Sequence, residues 1–97
     1  MNFQEIADNI KEQATKTAPL GGTFKLVLDD KVIFIDGSGT ENLVSFDDKE
    51  ADTEISTSID AMTAMISGDL NPMMATMTGK VKIKGNMGLA MKLQSFL

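Results

Sequence analysis

Two strand-like runs separated by only two residues constrain the fold of this chain most strongly. Residues 23–28 and 31–37 are rich in Phe, Leu, Val and Ile, and only Asp29 and Asp30 lie between them. A two-residue loop predicts a tight antiparallel hairpin and fixes its register. One face, here called the inner face, then presents four large apolar side chains together: Phe24, Leu26, Ile33 and Ile35. The opposite face mixes a charge with apolar groups: Lys25, Val27, Val32 and Phe34.

An amphipathic helix is predicted before the hairpin, over residues 2–17. Its apolar residues recur at spacings of three and four, which is typical of one helix face. They are Phe3, Ile6, Ala7, Ile10 and Ala14. Residues 19–22, Pro-Leu-Gly-Gly, end this helix. The opposite hairpin face is therefore either half exposed or covered by part of the helix.

Three further strands follow the hairpin. Two are predicted over residues 42–46 and 51–57, with an acidic loop between them. The third covers residues 80–84, where Lys and apolar residues alternate strictly, so that Val81 and Ile83 point inward and the lysines point to water. Lysines of this kind also protect an edge strand from unwanted pairing.

Three helices occupy the rest of the C-terminal half. The first starts at a pair that resembles a capping box, Thr57 and Asp60. The second starts at Asn71-Pro72, because Asn caps free N–H groups and Pro at the first helical position has no N–H to leave unpaired. A final helix, capped by Asn86, is predicted over residues 87–97.

Methionine is concentrated in these helices. The chain has eight methionines, and seven of them fall between residues 62 and 91, on three separate predicted helices. Met is unbranched and polarizable, so it suits a surface that accommodates flexible apolar partners, but it also fills gaps in ordinary cores. Both interpretations stay open.

The final helix has two apolar faces. One carries Leu89, Leu93, Phe96 and Leu97, and the other carries Met87, Ala90 and Met91. A surface helix needs only one such face. The second face is expected to meet a ligand, a partner chain or a membrane, unless the small helices cover it.

Charge is distributed unevenly along the chain, whose formal net charge is −5. Residues 41–60 carry seven acids, whereas residues 79–97 carry four lysines and no acid. This basic end either steers the protein to anionic membranes, giving transient membrane contact, or is a solvated edge strand. With no arginine, tryptophan or tyrosine, nucleic acid is not an expected partner.

Catalysis is not expected. The chain has no His, Cys or Tyr, and its Ser, Thr, Lys, Asp and Glu residues form no recognisable catalytic motif. Residues 36–40 resemble the start of a calcium loop, but Glu41 stands where the sharp-turn glycine is needed. We interpret this segment as a turn between strands, and we expect neither a metal nor a cofactor.

Two C-terminal segments carry a resemblance to a known family. Residues 67–72, Ser-Gly-Asp-Leu-Asn-Pro, precede residues 79–94, Gly-Lys-Val-Lys-Ile-Lys-Gly-Asn-Met-Gly-Leu-Ala-Met-Lys-Leu-Gln. This pattern resembles the C-terminal signature of the sterol carrier protein 2 (SCP-2) lipid-transfer family. The resemblance implies an α/β (α+β) fold with a five-stranded, mainly antiparallel sheet and helices packed on one face. It also implies a hydrophobic tunnel for sterols, fatty acids, acyl-CoA thioesters or phospholipids, and no catalytic residues.

The resulting hypothesis is a non-catalytic, monomeric lipid carrier that forms a single domain over residues 1–97. Transfer of the lipid between membranes or to enzymes stays open. The ligand is expected between the inner face and the helices. The predicted lining residues are Phe24, Leu26, Ile33, Ile35, Met62, Ile66, Met73, Met77, Ile83, Leu89, Leu93 and Phe96. The alternative is a protein-interaction or dimerisation module that uses the apolar C-terminal helix and holds no ligand.

A cytoplasmic location is expected. The first residues lack the pattern of a signal peptide, and the ending Ser95-Phe96-Leu97 differs from the Ser-Lys-Leu type of peroxisomal address.

Overall fold

The computed structural model describes residues 1–92, and its helices and strands follow the predicted order. The elements are α1 (Phe3–Lys16), β1 (Thr23–Leu28), β2 (Lys31–Asp36), β3 (Leu43–Ser45), β4 (Thr53–Thr57), α2 (Ile59–Ile66), α3 (Pro72–Met77), β5 (Lys82–Gly85) and α4 (Met87–Lys92). The part of the last predicted helix that covers residues 93–97, with Leu93 and Phe96, lies outside the described residues.

The five strands form one mixed sheet in the order β3-β2-β1-β4-β5. The hairpin register is confirmed, with Leu28 opposite Lys31 and Phe24 opposite Ile35. The pair β1–β4 is parallel and the other three pairs are antiparallel, so the sheet is mainly antiparallel as the resemblance implied. Asp29 reaches the tight turn with φ +57°, a left-handed conformation that Asp tolerates better than most residues.

The inner face of the sheet is the floor of the hydrophobic core. Phe24, Leu26, Ile33 and Ile35 are almost completely inaccessible to solvent. Four apolar residues of α1 join the same core and are 4% exposed or less: Ile6, Ala7, Ile10 and Ala14. A capping box starts α1, because the Asn2 side chain accepts from the Glu5 N–H and the Glu5 carboxylate accepts from the Asn2 N–H.

Helix α1 packs on the inner face of the sheet. The alternative that part of this helix covers the opposite hairpin face is therefore wrong. The acidic loop lies there instead, since Asp48 forms an ion pair with Lys25 and the Lys49 amine lies 5.0 Å from the centre of the Phe34 ring. Hydrogen bonding to Asp48 raises the pKa of Lys25 above its usual value of 10.5. Phe34 is 4% exposed, so this polar loop buries an aromatic ring outside the main core.

The start of α2 differs from the prediction by one residue. Ser58, not Thr57, is the N-cap, and its hydroxyl accepts from the Ala61 N–H. Thr57 belongs to β4, and its hydroxyl donates to the Lys80 carbonyl at 2.8 Å. The capping box is therefore wrong, because sheet pairing fixes Thr57 before the helix begins.

The predicted starts of the two later helices are confirmed. The Asn71 side chain accepts from the N–H groups of Met73 and Met74 and caps α3. The Asn86 side chain accepts from the Leu89 N–H at the start of α4. Across residues 1–92, none of the helices combines the length and the hydropathy that crossing a bilayer requires.

Candidate functional site

An apolar pocket of about 160 Å³ opens between α3, β5 and α4. The described residues that line it are Met73, Thr76, Met77, Ile83, Met87, Ala90 and Met91. These lining residues include no titratable group, and Thr76 uses its hydroxyl to donate to the Pro72 carbonyl within its own helix. The pocket therefore offers dispersion contacts and water exclusion rather than polar recognition.

Helical spacing places the three methionines of α3 on one side of the helix, and two of them, Met73 and Met77, line the pocket. Successive residues of an α-helix are about 100° apart, so Met73, Met77 and Met74 fall within an arc of about 100°. Ala75 points the other way and is the one fully buried residue of this helix. A helix of six residues anchored through one small side chain leaves its methionine stripe unburied.

The second predicted face of the last helix is complete in α4, whereas of the first predicted face only Leu89 lies among the described residues. Leu89 packs directly over Gly22. A Cβ atom added to Gly22 would lie 2.7 Å from a methyl carbon of Leu89, which is too close for a side chain at that position. Met87, Ala90 and Met91 face the pocket. The short helix α3 stands opposite this second face without covering it, because Met87 is 55% exposed and Met91 is 50% exposed.

Ile83 forms the floor of the pocket at the edge of the sheet. It pairs with Ile55 of β4, on the same face as the core. Lys82 and Lys84, its neighbours along the strand, point to the other face and are exposed, as predicted. Alternation along one edge strand thus places the apolar floor of the pocket on one face of the sheet and the lysines on the other.

The predicted lining residues fall into three groups in the structure. Met73, Met77 and Ile83 line the pocket. Phe24, Leu26, Ile33, Ile35 and Met62 are 2% exposed or less and lie in the packed core, while Ile66 and Leu89 are half-buried against it. These core residues pack with side chains of α1 and α2 and are not among the described lining residues of the pocket. Leu93 and Phe96 lie outside the described residues, and the set as a whole stays a prediction.

Sequence reasoning left four lining residues out of the predicted set: Thr76, Met87, Ala90 and Met91. The signal for three of them was present, because the second apolar face of the last helix already contained Met87, Ala90 and Met91. Thr76 carries no such signal, since its place in the wall depends on how α3 sits against β5.

Two other depressions that described residues line are polar. The larger, about 680 Å³, lies beside α2 and is lined by acids and lysines together, including Asp60, Asp69, Lys80 and Lys82. The other, about 440 Å³, lies on the opposite sheet face around Lys25 and Glu54. Mixed charges and hydroxyl groups make both less suited to an apolar ligand than the methionine pocket.

The segment after β2 is a turn, as predicted. The Ser38 hydroxyl and N–H both donate to the Asp36 carboxylate. These two hydrogen bonds hold the pKa of Asp36 below its usual value of 3.8, and the bond from the hydroxyl contributes most to this lowering. The carboxylate that would have led a calcium loop is thus engaged within its own turn.

Comparison with known proteins decides the family. The sequence profile of the SCP-2 sterol transfer family matches residues 3–97. The chain belongs to the SCP-2 sterol transfer family. Sterol carrier protein 2 of Rattus norvegicus is 34% identical over 102 residues, which cover 96% of this chain and 18% of that protein. The chain spans about a fifth of the length of the curated relatives it matches.

Solved SCP-2 structures share the fold. The sterol carrier protein domain 2 of Helicoverpa armigera superposes with a TM-score of 0.74 at 27% identity, covering 94% of this chain and 80% of that one. The Aedes aegypti SCP-2 complex with the C16 fatty acid palmitate gives a TM-score of 0.67 at 20% identity, covering 97% and 88%. Membership of the SCP-2 family, expected from residues 67–72 and 79–94, is confirmed by the match of the family profile.

Proposed function

We propose that this chain is a non-catalytic carrier that holds the hydrocarbon part of a fatty acid, sterol, acyl-CoA or phospholipid in the methionine pocket. The observation that carries the proposal is the pocket itself, an apolar opening whose methionine walls are between 50% and 75% exposed. Exposed apolar patches of this kind mark binding surfaces in soluble proteins. The fatty acid bound to the related Aedes aegypti protein supports the same ligand class.

The walls of the pocket suit loose selectivity among lipids. Each buried CH₂ group contributes about 0.8 kcal/mol, so affinity grows with the length of chain covered. Ligand sites usually measure about 300–1,000 Å³, and the pocket at about 160 Å³ is smaller. A long chain therefore requires α3 and α4 to separate, which unbranched Met side chains and the single buried anchor Ala75 allow.

Ligand binding is tested on the purified chain. Native mass spectrometry is expected to find co-purified lipid, and added palmitate is expected to raise the melting temperature. The double variant Met87→Ser/Met91→Ser removes pocket wall and should lower palmitate affinity about tenfold or more, whereas Met1→Ser, an exposed methionine outside the lining, should not. Failure of a broad lipid panel to bind or to stabilise the protein would contradict the carrier role.

The same exposed methionines support one alternative, a dimerisation or protein-interaction module without internal ligand. Two copies packed through Met73, Met77, Met87 and Met91 would bury that surface. Sedimentation separates the two roles, because a stable dimer that takes up no lipid favours the alternative.

Three further expectations stay predictions: a monomeric state, a single domain over residues 1–97 and a cytoplasmic location. Cell fractionation tests the location.

A further inference from the structure

The walls of the methionine pocket carry the side-chain atoms of this chain that oxidants attack most readily. The chain has no Cys, His, Trp or Tyr, so the thioether sulfur of methionine is its most easily oxidised side-chain group. Four methionines line the pocket and are between 50% and 75% exposed: Met73, Met77, Met87 and Met91. The oxidation chemistry of the chain is therefore concentrated at the candidate ligand site.

Solvent exposure divides the eight methionines into three groups. Met62 and Met65 are buried in the core. Met1 and Met74 are exposed but are not among the described lining residues of the pocket. The other four are the exposed lining methionines. Because an oxidant in water reaches exposed sulfur first, a limited dose of peroxide should modify the last two groups and leave the core unmodified.

A sulfoxide in the pocket wall would lack a hydrogen-bond partner. Oxidation converts the apolar thioether into a polar group whose oxygen accepts hydrogen bonds. Among the described lining residues Thr76 has the only side-chain donor, and its hydroxyl already donates to the Pro72 carbonyl. A hydrocarbon chain laid over the sulfoxide would bury this oxygen without a partner, which costs binding free energy.

We propose that Met73, Met77, Met87 and Met91 form an oxidation site at which peroxide lowers the lipid affinity of the empty pocket. This inference rests on the proposed carrier role. In the reaction a methionine sulfur attacks one oxygen of hydrogen peroxide, and the S–O bond forms as the O–O bond breaks. The hydroxide that leaves takes the proton of the new S–OH group and departs as water. Sulfur is oxidised to the sulfoxide, and the peroxide is reduced to water.

Bound lipid protects the oxidation site. A hydrocarbon chain in the pocket covers the lining methionines, whereas Met1 and Met74 stay exposed to solvent. The loaded carrier therefore resists peroxide, and the empty carrier loses its affinity for lipid. The site responds in this way to oxidant and to cargo together.

Oxidation at this site leaves the fold in place. The lining methionines of α3 are exposed, and this helix is anchored in the core through Ala75. A sulfoxide at Met62 or Met65 would instead place an unpaired polar group in the core and destabilise the protein. Loss of lipid affinity should therefore precede loss of structure as the peroxide dose rises.

Oxidative footprinting of the wild type tests the site. Hydrogen peroxide is added to the lipid-free and the palmitate-loaded chain, and tandem mass spectrometry measures sulfoxide at each methionine. With palmitate at about ten times its dissociation constant the pocket is empty about a tenth of the time, so oxidation of Met77, Met87 and Met91 should slow about tenfold. Oxidation of Met1 and Met74 should proceed at the same rate in both samples.

Palmitate affinity before and after peroxide tests the consequence. In the wild type, oxidation should lower the affinity about tenfold or more, and methionine sulfoxide reductases should restore it. A quadruple variant without oxidisable sulfur in the pocket should give the same affinity before and after peroxide: Met73→Leu/Met77→Leu/Met87→Leu/Met91→Leu. The matched control Met1→Leu/Met74→Leu should lose affinity after peroxide as the wild type does.

Each outcome bears on either the oxidation site or the carrier role. The oxidation site is contradicted if palmitate protects none of the lining methionines, if oxidised and reduced wild type bind palmitate equally, or if the quadruple variant and its control respond alike. Circular dichroism during heating adds a fourth criterion, because loss of the cooperative melting transition after peroxide would show damage to the fold instead. If the reduced wild type binds no lipid, the carrier role is contradicted and this inference with it.

Discussion

Helices α2 and α3 follow each other in the chain and are both rich in methionine, yet they place it in opposite environments. In α2, Met62 is 2% exposed and Met65 is 7% exposed. In α3, Met73, Met74 and Met77 are between 54% and 75% exposed. Helix α2 starts directly at the end of β4 and lies over the core, whereas α3 follows a glycine turn and reaches the core only through Ala75. Position relative to the sheet, not residue type, decides which methionines are buried in the core and which stay exposed.

The sharpest way to break this comparison is to shorten one methionine in each helix. Met62→Ala should lower the free energy of unfolding by about 2–5 kcal/mol, because it leaves a cavity in the core. Met77→Ala should change it by less than about 0.5 kcal/mol, because that side chain is 75% exposed. Urea denaturation measures both. Equal losses would show that α3 contributes to stability as much as α2.

A second test applies the same contrast within one helix, across the two faces of α4. Leu89→Ala should cost about 1–2 kcal/mol of unfolding free energy, less than a fully buried leucine, because Leu89 is half-buried against the core. Met91→Ala should leave stability within about 0.5 kcal/mol of the wild type and weaken palmitate binding. If Leu89→Ala weakened binding and Met91→Ala lost stability, the assignment of the two faces would be reversed.

The smallest expected effect concerns charge. The pKa of Lys25 is raised, so its contribution to the free energy of unfolding is fully present below pH 10.5 and is lost as pH rises through the folded-state pKa. The pKa of Asp36 is lowered, so its contribution to the free energy of unfolding is present above pH 3.8 and is lost as pH falls through the folded-state pKa. Lys25→Met should flatten the alkaline end of the stability profile alone, and Asp36→Asn the acidic end alone. Palmitate affinity of the pocket should show no matching dependence on Lys25 or Asp36.

Local patterns predicted most of the fold. The two-residue turn at Asp29 and Asp30 fixed the hairpin register, and Asn71 and Asn86 marked helix starts correctly. The parallel pairing of β1 with β4 joins residues about thirty apart and leaves no local pattern. The role of Asn42 likewise leaves no local pattern, and sequence reasoning missed it. The buried side chain of Asn42 accepts from the Leu20 N–H and donates to the Thr17 and Ala18 carbonyls.

The site was harder to predict than the fold, for a physical reason. A ligand between the inner face and the helices requires empty space there, and the amount of space depends on how closely the helices pack. Ile6, Ile10 and Met62 pack in that space. The methionine pocket lies at the sheet edge, where the six residues of α3 leave their methionines exposed, and a ligand over the inner face stays a prediction.

Nuclear magnetic resonance of ¹³C-labelled methionine methyl groups during a palmitate titration tests the central claim most directly. The eight methionines give one reporter in each environment of the molecule. We predict that the methyl signals of four residues shift together and report a single palmitate affinity: Met73, Met77, Met87 and Met91. The methyl signals of Met1 and of the core residue Met65 should not shift. Shifts confined to Met62 and Met65 would place the ligand over the inner face and contradict the account.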